Sequence, residues 1–168
     1  KVYSVKQTKF MRKAQAKIRD VQADPVYKHK LVTKVINRSM KDGKRSISQK
    51  QIYAALETAG KEASAEPLKV FLGAIENIKP NMEVRPRRIG GAAYQVPAPV
   101  RGPRREALAI RWLIQAANLR PNGQYKTYGG KLAAELVDAY SNQGGAVTKK
   151  QQMERTAEAN KAFSHFRW

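Results

Sequence analysis

Two runs, Met82–Ile89 and Ala92–Val100, stand apart from the helical patterning on either side of them. Neither has a 3.6-residue apolar period. Between them they hold Pro86, Pro97 and Pro99, and they meet at Gly90-Gly91. Two extended runs joined by a Gly-Gly pair predict a β-hairpin. Each proline removes a ladder donor, so such a hairpin is excluded from the middle of a sheet. It must be an edge ribbon that protrudes from whatever the remaining residues build.

Those remaining residues read as helices. Asp24-Pro25 joins an N-cap acceptor to a proline at the first helical position, and Leu31, Val32, Val35, Ile36 and Met40 follow at helical spacing before Gly43. Ser46 and Gln49 match a capping box, opening a second helix through Ile52, Ala55, Leu56 and Ala59 that Gly60 ends or weakens. Pro67 starts a third, with Leu68, Phe71, Leu72 and Ile75 on one face and Pro80 closing it. Beyond the ribbon, Gly102-Pro103 opens a fourth helix with Leu108, Trp112, Ala116 and Leu119 in line. Thr127 caps a fifth through Leu132, Leu136 and Tyr140, with Gly129-Gly130 weakening its first turn. Thr148 and Gln151 form a second capping-box match for a sixth, ending near Ala162. The expected fold is mainly α, a single domain of about six helices with a protruding β-hairpin (about 82–100) between the third and fourth. A length of 168 residues suits one domain. Residues 1–23 lack clean periodicity and read as a basic N-terminal arm ahead of a helical domain over 24–168.

Charge separates the function classes. The chain holds 33 Lys/Arg against 13 Asp/Glu, a formal net charge of +20, which repels itself unless a polyanion lies against it. Residues 1–50 carry 15 of the cations against three acids, and residues 76–105 carry seven against two. Residues 51–75 are nearly neutral. Two contact surfaces around a neutral scaffold follow more naturally than a uniformly solubilised coat.

Several chemistries are excluded. There is no cysteine, so no disulfide, thiolate nucleophile or Cys-type zinc site. No Walker loop, dinucleotide fingerprint, zincin or nucleophile-elbow motif occurs. His29 and His165 lie at opposite ends and read as stacking or hydrogen-bonding residues. Glu135 and Asp138, at i and i+3 beside Lys131, read as a solvated helix face. No catalytic residue, metal site, cofactor or small-molecule substrate is expected. The longest apolar or Gly runs hold six residues each, too short to span a membrane. The first residue is Lys1 rather than Met, which leaves room for a removed leader, and no signal-peptide core is present.

The ribbon is the sharpest functional feature. Arg85 and Arg87 share one strand face, Arg88 lies on the other, and Arg101, Arg104 and Arg105 follow at the base. Guanidinium forks suit bidentate phosphate contact and stack on exposed bases. Tyr94 offers a stacking plane beside Gly90-Gly91, where backbone itself can approach a ligand.

Four ordered blocks then carry a resemblance: DPVYKHKLVTKVINRSMKDGK (24–44), RRIGGAAYQVPAPVR (87–101), ALAIRWL (107–113) and AEANKAFSHFRW (157–168). From about Met11 onward the chain resembles the bacterial-type small-subunit ribosomal protein seven family. The resemblance implies a ribosomal location, in bacterial cytoplasm or an organelle, and binding to the 3′ major domain of small-subunit rRNA that nucleates head assembly. It places rRNA contact on Arg12, Lys13, Lys17, Arg19, Lys28, Lys34, Lys44, Arg45, Arg101, Arg104, Arg105 and Arg111. It sets the hairpin residues Arg85, Arg87, Arg88, Gly90, Gly91 and Tyr94 beside the mRNA exit path and E-site tRNA. Lys149, Lys150 and Asn160 of the last helix fall on the same tRNA. Neighbouring proteins of the subunit head and platform are the implied protein partners. The competing class is an architectural DNA-binding protein with a basic ribbon arm.

Overall fold

The computed structural model describes residues 20–166. Six α-helices and one hairpin occur in the order α1 (Lys30–Ser39), α2 (Arg45–Glu62), α3 (Pro67–Ile78), β1 (Met82–Ile89), β2 (Ala92–Pro99), α4 (Pro103–Leu119), α5 (Tyr128–Tyr140) and α6 (Gly144–Ala159). A 3₁₀ segment, Lys161–Phe166, follows α6. The mainly helical class, the helix count and the hairpin's place between α3 and α4 agree with the sequence reading. The expected arm at 1–23 lies almost wholly outside the described residues.

Helix α5 is the hub, packing against α2, α3, α4 and α6. Leu132, Ala133, Leu136 and Ala139 of α5 are buried against Ile52, Leu56, Phe71, Ile75 and Leu113. The tight α2–α5 approach explains the glycine in the first turn of α5. A Cβ on Gly129 would stand 3.0 Å from the Gln51 carbonyl oxygen, while its N–H donates to Gln51 Oε1 at 3.0 Å. Thr127 caps α5 as expected, its Oγ1 accepting from Gly130 N at 3.1 Å.

Four local expectations differ. Helix α1 begins at Lys30 with His29 as its N-cap, Nδ1 accepting from Leu31 N at 3.2 Å. Asp24 is buried and instead stabilises an upstream turn, its carboxylate accepting from Val26 N and Tyr27 N at 3.1 Å each and from the Tyr53 hydroxyl at 2.8 Å. Asp24 caps only that turn, because the left-handed backbone at Lys28, φ 51°, separates it from the helix. Helix α2 starts at Arg45 without a side-chain cap, since Gln49 donates to Tyr53 Oη at 2.6 Å rather than closing a box with Ser46. It runs past Gly60, which is buried against Pro67. Helix α6 begins four residues before Thr148, whose hydroxyl donates back to Gly144 O at 2.9 Å. Leu119, expected inward, is 84% exposed. At that helix end the next residue, Arg120, turns inward to two carboxylates.

Those carboxylates give the largest correction. Glu135 is 1% exposed, not part of a solvated face. Its Oε2 accepts from Arg120 at 2.7–2.8 Å, and its Oε1 accepts from Ala146 N at 2.8 Å, capping α6 from outside. Asp138 also binds Arg120. Lys131, beside them in sequence, donates to Asn122 Oδ1 at 2.6 Å rather than to either carboxylate. Burial by itself disfavours the Arg120 charge, but hydrogen bonds to Asp138 and Glu135 outweigh it and hold the guanidinium above its ordinary range. One buried carboxylate thereby joins α4, α5 and α6.

The hairpin pairs antiparallel from Met82↔Pro99 to Ile89↔Ala92. Gly90 and Gly91 both have positive φ, 57° and 89°, as a two-residue type I′ turn requires. As a two-stranded sheet, the ribbon consists of edges alone, and each edge can therefore carry proline.

Candidate nucleic-acid interface

The basic residues divide between a concave face and the ribbon. The concave face is a cleft of about 570 Å³ where the end of α1, the start of α2, the outer side of α4 and the start of α5 converge. Arg38, Lys41, Lys44, Arg111, Lys126 and Lys131 line it, and no Asp or Glu does. A second groove, between α1 and α4, continues from it through the shared residues Arg38 and Arg111 and adds Lys34. Six like charges around one concavity repel one another and raise the local anion concentration, as a polyanion-binding surface does.

The expected rRNA residues fall unevenly on this face. Lys44 and Arg111 line the cleft, and Arg45 is exposed next to Lys44. Lys34 lies in the adjoining groove, its ammonium 2.6 Å from Glu106 Oε2. Lys28 is exposed on the preceding turn. Arg12, Lys13, Lys17 and Arg19 lie outside the described residues. Arg38, Lys41, Lys126 and Lys131 had not been singled out. The first two sit within the quoted 24–44 block, whereas Lys126 and Lys131 come from the less strongly basic stretch 106–168 and reach the cleft from the α4–α5 turn and the first turn of α5.

At the ribbon, several arginines already serve the fold. Glu83 is 3% exposed. It accepts from Arg85 Nε at 2.5 Å and from Arg104 Nε at 2.7 and 2.9 Å. Arg105 donates to Pro80 O at 3.1 Å and to Asn81 Oδ1 at 2.7 Å, while Asn81 N donates to Glu154 Oε1 at 2.9 Å. The base of the ribbon is thus braced to α4 and α6. Arg85 and Arg104 remain about half exposed in their side chains, so each presents donors outward as well. Arg87, Arg88 and Arg101 are exposed, and a Cβ at Gly90 or Gly91 would meet open space.

The C-terminal residues join the ribbon. Tyr94 is half-buried, its ring 5.3 Å from Phe163 and 5.4 Å from Phe166 of the 3₁₀ segment. The expected stacking plane is therefore partly used to dock the chain's end on β2. Lys149 is exposed near the start of α6. Lys150 donates to Asn77 O at 2.9 Å, satisfying a carbonyl of the last turn of α3. Asn160 is the C-cap of α6 and donates to Thr156 O at 2.8 Å.

The family model described as ribosomal protein S7p/S5e matches residues 11–161. The chain belongs to the ribosomal protein S7p/S5e family. Small ribosomal subunit protein uS7 of Symbiobacterium thermophilum is 53% identical over 150 residues, covering 89% of this chain and 94% of that one. The uS7 proteins of Thermotoga petrophila and Thermosipho melanesiensis are each 49% identical over 158 residues, 94% of this chain and all of theirs. S7p/S5e membership makes the chain a ribosomal protein of the small subunit, an RNA-binding part of a ribonucleoprotein engaged in translation, and not an enzyme. Among the described residues no helix is long and apolar enough to cross a membrane, and no group of three or more His, Cys, Asp or Glu could hold a metal.

Proposed function

We propose that the chain binds the 3′ major domain of small-subunit rRNA through the cleft and its α1–α4 extension, and that this contact nucleates assembly of the subunit head. The observation that carries the reading is six cations and no carboxylate around one concavity. Phosphate neutralisation supplies affinity there, and the shape of a folded RNA junction supplies selectivity. The arm at 1–23 adds further phosphate contacts to the helical domain over 24–168. The ribbon, with Arg87, Arg88 and the open Gly90-Gly91 tip, faces the mRNA exit path and the E-site tRNA, joined by Lys149 and Asn160. Tyr94 serves that surface by holding the chain's end against β2. Proteins of the head and platform are its neighbours. The bacterial origin of the relatives supports a bacterial ribosome over an organellar one.

Binding to a 3′ major-domain rRNA fragment, compared with duplex DNA of equal length at 50 and 200 mM salt, tests the reading. Neutralising about 6–10 phosphates should lower affinity on the order of 10³–10⁵-fold across that range. A preference for the RNA that survives the higher salt supports the proposal. Equal, salt-labile binding to both would replace it with generic polyanion affinity and favour the DNA-architectural alternative. Removing residues 1–23 should flatten the salt slope, and an unchanged slope would remove the arm from the phosphate-binding set.

A further inference from the structure

The cleft holds more than charge. Ile47 is 58% exposed and lines it together with Ile114 and Tyr128. A phosphate backbone gains nothing from an apolar floor, whereas the face of a nucleobase does. Gln115 and Asn118, one turn apart on α4, also line the cleft. Neither makes a side-chain hydrogen bond or ion pair with a described residue. Each primary amide offers a donor and an acceptor side by side, the pattern shown by a base edge. A volume of about 570 Å³ lies within the range of small-ligand sites. Phosphates lying across the rim would leave that volume unused.

We propose that the cleft accepts one unstacked nucleotide of the bound RNA. Its base lies over Ile47, Ile114 and Tyr128, its edge is read by Gln115 and Asn118, and the flanking phosphates rest on Arg38, Lys41 and Arg111. This rests on reading the cleft as the rRNA surface, and adds that a single base there is read as well as held. The chain's own basic arm is a poor occupant, because like charges line both.

The test uses the full chain with the 3′ major-domain rRNA fragment. Methylation of unpaired Watson–Crick edges is mapped with wild type and with the Ile47→Ala/Asn118→Ala double variant. Both positions are exposed, and a circular-dichroism melt checks that the fold is kept. Wild type should protect one unpaired base. The double variant should restore that base's reactivity and weaken binding at least about fivefold, with an unchanged salt slope, since no cation is removed. A protection pattern identical in wild type and variant overturns the nucleotide site while leaving rRNA binding intact. Failure of wild type to bind the fragment overturns both. A second arm offers the four free ribonucleoside monophosphates. Saturable binding of one of them, abolished in the double variant, overturns the RNA-borne nucleotide in favour of a free one.

Discussion

The cleft and the ribbon are both basic, yet their charges are held differently. Around the cleft, Arg38, Arg111 and Lys131 come from three helices and Lys41, Lys44 and Lys126 from the α1–α2 and α4–α5 turns, and no carboxylate lines the surface they form. At the ribbon, Arg85 and Arg104 share the buried Glu83, and Arg105 is held by Pro80 and Asn81. A concave surface can gather charges from distant parts of the chain, because the helical body holds them in place. A two-stranded ribbon has no core of its own, so part of its charge and its one tyrosine must anchor it. Positive charge therefore implies nucleic-acid contact more directly at the cleft than at the ribbon's base.

The largest expected effect breaks the frame behind the cleft. Glu135→Ala leaves the Arg120 guanidinium short of a partner and Ala146 N without its acceptor. It should destabilise the protein by about 3–5 kcal/mol, read in urea unfolding. A loss below 1 kcal/mol would show that Asp138 alone suffices to hold Arg120. Glu135→Gln keeps the side chain's size but only one acceptor oxygen, setting an amide NH2 against either Arg120 or Ala146 N, so it too should destabilise the protein.

The next prediction sharpens the contrast between the two surfaces. Arg111→Ala should weaken rRNA-fragment binding roughly tenfold, about 1.4 kcal/mol, and reduce the salt slope by about one contact. Arg87→Ala with Arg88→Ala should leave fragment binding largely intact while disturbing E-site tRNA retention on assembled subunits. Equal losses in both assays from either variant would erase the separation of roles.

Anchoring of the ribbon gives a smaller effect. Phe163→Ala removes one ring from the Tyr94 cluster and should cost roughly 0.5–1.5 kcal/mol. Amide exchange should rise along β2 and the chain's end but not in α5. Uniform protection would show that the ribbon's base contacts suffice without the aromatic clasp.

The smallest effect is at Tyr128, whose hydroxyl is buried with no partner among the described residues. Tyr128→Phe should change stability little at neutral pH, since no hydrogen bond is lost. Burial pushes this phenol up to about 12, from an ordinary value of 10.0. The unfolded chain ionises first, so its contribution to stability is intact below pH 10 and lost as pH rises towards 12. The phenylalanine variant should therefore show a shallower stability loss between pH 10 and 12, and parallel curves would place the titration elsewhere.

Local signals were legible where the deciding interaction is local. Gly90-Gly91 gave the hairpin because only residues tolerant of positive φ fit a type I′ turn. Pro67, Pro103 and Thr127 marked helix starts within one residue, each acting on its own first turn. Asp24 misled because the backbone turns left-handed at Lys28 and Tyr53, far along the chain, binds its carboxylate, whereas Gln49 misled because Tyr53, one turn on, takes its amide. In the site, Lys44 and Arg111 were legible through the family resemblance of the 24–44 and 107–113 blocks. Arg38, Lys41, Lys126 and Lys131 join the cleft through the crossing of helices, which spacing along one chain cannot express.

The sequence by itself determined a basic, mainly helical protein with one edge ribbon, because periodicity, proline chemistry and net charge are properties of residue order. Only the tertiary structure decided which charges stay outward and which are spent inside. Glu135 has the spacing of a solvated helix face and becomes a buried staple because Arg120 and Ala146 meet it from two other helices. A carboxylate's environment, unlike its place in a helical period, is set by what packs against it.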